Sequence, residues 1–112
     1  MSIEGLAAAL TAQNDAERTL QQTELALLTT KAKIEKMIRS LADDLPKKPT
    51  EAAIANHVML HEDVISAEKN IITQRHAYRV TQIDVEVARE TCRMDRLHLQ
   101  REIAMLGAKG EE

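Results

Sequence analysis

Residues 57–63 read HVMLHED, and His57 and His61 stand four apart. On a helix that spacing stacks both imidazoles on one face, where a divalent metal can be held if further ligands join them. A closed zinc site wants four ligands and a catalytic one three. Glu62 and Asp63 follow directly, yet on a helix they point roughly 100° and 200° away from His61. The metalloprotease order is also missing, because it needs Glu directly after the first histidine and Val58 stands there. His76 and His98 lie about 22 Å and 55 Å farther along such a helix. No metal and no cofactor are expected, and His57 and His61 are only weak candidates for a ligand pair. Ordinary packing suits them better, with His57 half-buried against Ile34 and Ile38.

Arginine is the other residue type with chemistry to offer. Residues 69–101 hold Lys69, Arg75, Arg79, Arg89, Arg93, Arg96 and Arg101 against Asp84, Glu86, Glu90 and Asp95, a local charge of +3. Arg75, Arg79, Arg89, Arg93 and Arg96 form a basic stripe that can track a phosphate backbone. Carboxylates interleave with it, and Tyr78 is the one ring on which a base can stack. Arginines flanking a helical seam and paired with Glu17 and Glu24 account for the same pattern. Cys92 falls in an apolar row and reads as a small hydrophobe, not as a nucleophile. No glycine-rich loop stands ready to cradle a phosphate. The chain is expected not to be an enzyme.

The elements that carry these residues follow from composition and breakers. The chain has 112 residues, 44% apolar and 29% charged, with sixteen alanines, no Phe or Trp and a formal charge of −3. Such a composition fits long helices and coiled coils better than a globular core built on rings. DDLPKKPT, residues 43–50, is the one strong interior turn signal. Pro46 disfavours helix at Leu45, and Thr50 with Glu51 makes an N-cap and an acidic first turn. The reading is one domain: a helix over about 3–44, a turn at 45–49, a second helix over about 50–106 capped at Gly107, and a short tail at 107–112.

A seven-residue repeat runs through both helices. The first helix aligns Leu6, Leu20, Leu27, Ile34 and Leu41, with a companion row containing Glu17, Glu24 and Lys31. The second aligns Val64, Ile71, Tyr78, Val85, Cys92 and Leu99, with Ala67, Gln74, Thr81 and Ala88 beside them. Leu20, Leu27, Ile34, Leu41, Val64, Ile71, Tyr78, Val85, Cys92 and Leu99 are the expected coiled-coil seam. The fold class is therefore all-α, a long antiparallel two-helix hairpin. Folding about residues 47 and 48 sets Ile3 near Cys92 and leaves residues beyond about 93 without a partner from the first helix.

Val80, Ile83, Val87, Met94 and Leu97 make a second apolar stripe on the second helix, roughly opposite its seam. A helix apolar on two sides is normally buried on both. The stripe is thus an expected protein-binding surface, used by a homo-oligomer (a dimer completing a four-helix bundle) or by another helical protein. A chain that bends back into a three-helix monomer is the remaining option. The function expected is that of a non-enzymatic assembly, adaptor or chaperone-like module acting by coiled-coil packing. A small nucleic-acid-binding regulator using the arginine stripe is the alternative. LAAAL, the longest wholly apolar run, is far too short to span a membrane. A single cysteine and no visible signal peptide make the cytoplasm the expected compartment.

Overall fold

The computed structural model describes the backbone of residues 2–111 and the side chains of residues 3–107. Among these residues there are three α-helices and no strand: α1, Ser2–Ala42; α2, Glu51–Leu60; and α3, Glu62–Glu111. The chain forms two compact units. One runs from Glu17 to Ala77; the other joins the start of α1, up to Ala16, with α3 from Tyr78 onward.

In the Glu17–Ala77 unit, α1 ends at Ala42 and the chain reverses through residues 43–50. Asp43 and Leu45 donate backbone hydrogen bonds to the carbonyls of Arg39 and Ala42, at 3.1 Å each. The prolines then keep the segment out of helix. Thr50 restarts it: its hydroxyl accepts from the Ala53 amide at 3.1 Å, satisfying one of the orphan donors of a helix start. Ile34, Val58 and Val64 close a small core, with Leu27 and Ile38 packed against it. Charged pairs bracket that core in reverse chain order, Lys31 with Glu68 at 3.8 Å and Arg39 with Glu51 at 2.7 Å.

The expected single helix from 50 to 106 is divided at His61. That residue takes φ −66° and ψ 137°, an extended conformation that ends α2. Its Nδ1 accepts from the Asp63 amide at 3.1 Å, so the imidazole serves as the N-cap of α3. Glu62 and Asp63 sit in the first turn, where carboxylates suit the positive end of the helix dipole. The break lets Val64 turn inward to complete burial, 0% exposed, while His57 and Leu60 face solvent. His57 therefore does not lie half-buried against Ile34 and Ile38; Val58 and Val64 hold the place beside Ile34.

At the other end Gly107 does not cap α3. No glycine among the described residues has a positive φ, and the helix continues to Glu111 because Ala108 and Lys109 are good helix formers. Residues 107–111 are thus helix, not tail, and Glu112 lies outside the described residues.

In the second unit α3 buries one side. Val85 is 3% exposed, and Tyr78, Thr81, Ala88 and Cys92 are half-buried. Leu6, Ala9, Leu10, Gln13 and Ala16 are the half-buried positions of α1 in the same unit. From Arg93 through Gly107 every residue of α3 is exposed.

Candidate interaction surface

A helix advances about 100° per residue, so positions 78, 81, 85, 88 and 92 cluster within one sector of α3. These are its buried or half-buried positions in the second unit. Val80, Ile83, Val87, Met94 and Leu97 fall on the opposite sector. They stand 42%, 50%, 59%, 54% and 42% exposed. These large apolar side chains stay open to solvent along several helical turns, interrupted by Glu90. The Glu17–Ala77 unit also exposes large apolar residues, at Leu25 and Leu28, at Met37, Leu41 and Leu45, at Met59 and Leu60, and at Ile72. Scattered residues of that kind are normal on a protein surface.

Charge borders the stripe. Glu90 lies within it, between Val87 and Met94, and Arg93 Nε donates to its carboxylate at 3.0 Å. Hydrogen bonding from Arg93 holds the Glu90 carboxyl below its usual range and raises the Arg93 guanidinium, so both stay ionised near neutral pH. Arg79, Glu86 and Arg93 lie along one edge of the stripe, and Asp84, Thr91 and His98 along the other. His98 Nε2 approaches Glu102 at 3.2 Å.

The seam residues separate by position. Ile34, Val64, Ile71 and Val85 are buried, and Leu20, Leu27, Tyr78 and Cys92 half-buried. Leu41 is 64% exposed, because burial near the end of α1 follows the four-residue row Ile34, Ile38, Ala42. Leu99 is 56% exposed, lying beyond the last half-buried turn of α3. In α1 the seam's companion row is also displaced by one residue. Glu17 and Glu24 are exposed, while Ala16 and Thr23 take the inward positions. Thr23 fits there because its hydroxyl donates to the Thr19 carbonyl at 2.7 Å. Among the described residues no ion pair joins Glu24 to Arg75; Lys31 instead meets Glu68.

Arg75, Arg79, Arg89 and Arg96 are exposed, and the Arg93 charge is shared with Glu90. The groove beside His61 is lined by Thr30, Lys33, Met37, Asp63 and Asn70 among others. Within the described residues no three His, Cys, Asp or Glu side chains gather as a metal site needs. Sequence reasoning missed the role of His61 as a helix cap. Its signal is the pair of carboxylates directly after a residue with a short-range acceptor, the pattern of a helix start. No helix among the described residues is long and apolar enough to cross a membrane. Compared with known proteins, the chain matches no family model, no curated protein and no solved structure.

Proposed function

We propose that this chain is a non-enzymatic helical interaction protein, an assembly, adaptor or chaperone-like module that works by coiled-coil packing. The observation that carries the reading is the double-faced character of α3: one sector buried around Val85, and the opposite sector apolar yet open to solvent. A thin helical object cannot enclose both faces by itself. In this reading the chain is a long antiparallel hairpin, and the stripe takes up helices from outside it to complete a four-helix bundle. The reversed order of the Lys31–Glu68 and Arg39–Glu51 pairs supports the hairpin in the Glu17–Ala77 unit. A cytoplasmic setting suits a chain whose one cysteine, Cys92, is a free and half-buried thiol.

The test is Val87→Glu combined with Met94→Lys. Full burial of side chains of this size is worth about 1.5–3 kcal/mol each, so charging two of them should weaken association by orders of magnitude. The variant is expected to give a smaller particle by light scattering while its far-UV circular dichroism stays helical. An unchanged particle size and unchanged partner binding would remove the stripe from the function.

A further inference from the structure

The charge pattern of the stripe selects both its occupant and the direction of approach. In heptad terms Val80, Val87 and Met94 form one core row, and Ile83, Glu90 and Leu97 the other. If a second α3 packed parallel and in register, each Glu90 would face its own copy in the middle of the contact, and Arg101 would face Arg101 at the end. Glu90 is ionised, its carboxylate held by Arg93, so that layer would set like charges directly opposite one another. Parallel pairing would also match Val80 with Val80 and Leu97 with Leu97, leaving the contact narrow at one end and wide at the other.

Reversing the second helix removes these conflicts. Val80 then meets Leu97, and Ile83 meets Met94, so each layer combines a shorter side chain with a longer one. Glu90 meets Val87 and no longer faces its own copy in the same layer. On the edge, antiparallel packing brings equivalent flanks together, and Glu86 of one copy comes opposite Arg93 of the other. Two such pairs arise by symmetry. Each Arg93 is then shared between its own Glu90 and the incoming Glu86. A surface whose own charges complement each other under a two-fold rotation is the kind an isologous dimer uses.

We propose that a second copy of this chain covers the stripe, the two α3 helices running antiparallel with the two-fold axis between residues 88 and 89. The inference rests on the reading of the stripe as a docking surface and adds to it the identity and direction of the partner.

Sedimentation equilibrium of the full chain comes first: a dimer is expected, and a monomer at every concentration would overturn the inference while leaving docking of a different protein open. Orientation is then read in a Cys92→Ser background, with Ile83→Cys in one preparation and Met94→Cys in another, oxidised by diamide. Antiparallel pairing predicts a disulfide-linked dimer that forms about tenfold or more faster in the mixture than in either preparation alone, because the paired thiols share a high effective concentration. Rapid cross-linking of Ile83→Cys with itself would establish parallel pairing and overturn the inference. The edge is tested by charge. Glu86→Arg should raise the dimer Kd several-fold, and adding Arg93→Glu should bring it back toward the parent value. No recovery in the double variant would contradict the proposed pairing. A parent dimer that persisted in Val87→Glu with Met94→Lys would instead defeat the docking reading itself.

Discussion

The two units of this protein put similar helical sequence to different ends. Between Glu17 and Ala77, α1, α2 and the start of α3 surround Ile34, Val58 and Val64 from several directions, and Val64 loses all its exposure. In the other unit Val85 is the one large apolar side chain of α3 that is buried among the described residues, and a row of comparable side chains faces outward. The difference originates in chain reversal. A turn, a capped restart at Thr50 and a second break at His61 supply a third helical segment that closes one core. No such segment follows Tyr78 among the described residues, so α3 there has a satisfied side and an open one. A core closed by its own chain serves stability; the side of α3 left open is where, on the proposed reading, a partner docks.

The largest effect expected from breaking this contrast is at Val64. Val64→Asp buries an unpaired carboxylate and should cost at least about 3 kcal/mol in a urea titration. Val64→Ala is milder, about 2–3 kcal/mol for the lost methyl burial and the cavity left behind. Val85→Ala should fall lower, at about 1–2 kcal/mol, since the inward positions beside it on α3, Thr81, Ala88 and Cys92, are only half-buried and can relax around the smaller side chain. Equal losses at the two valines would erase the distinction between the units.

At His61 the contrast can be sharpened. His61→Ala removes the acceptor for the Asp63 amide and should cost about 0.5–2 kcal/mol, whereas His61→Asn should retain most of the cap. Hydrogen exchange in the first turn of α3 should rise in the alanine variant and remain near the parent rate in the asparagine variant. If His61→Ala were as stable as the parent, the imidazole would not be the group that restarts the helix.

The smallest effect is electrostatic. Hydrogen bonding from Arg39 holds the Glu51 carboxyl below its usual range, and Glu51 also depresses proton loss from Arg39. A carboxyl depressed in the folded state contributes stability above its unfolded pKa and loses it as pH falls through the folded value. Both side chains are open to water, so the contribution is slight. Acid titration below about pH 4 should narrow the stability difference between the parent and Glu51→Gln. A difference that widened on acidification would contradict this pairing.

Much of the architecture is legible in the residues alone. Thr50 and the two prolines mark the reversal because their backbone limits are local and need no tertiary context. Val64, Ile71 and Val85 share a heptad row and are all buried, since burial along α3 follows a side-chain period that sequence displays directly. The break at His61 is hidden because VMLHED has acceptable helix propensity throughout, and only the inward pull on Val64 and the ring nitrogen of His61 favour interruption. Leu41 misleads for a related reason: a heptad row extrapolated to the end of α1 points to it, while the packing there follows four-residue steps to Ala42. Glu17 and Glu24 mislead because charged and small residues alternate on neighbouring rows, and one residue of rotation decides which row faces inward. The open stripe is legible as a pattern, since five apolar residues recur on the sector opposite the seam.

The most direct measurement of the central claim compares two substitutions two residues apart on α3, Val85→Glu and Val87→Glu, by light scattering and circular dichroism over a concentration series. If the two faces have separate tasks, Val87→Glu keeps the parent's helicity and loses particle mass, while Val85→Glu loses helicity even where the parent is fully folded. Matching behaviour in the two variants, whether both lose helicity or both keep the parent's mass, would contradict the account.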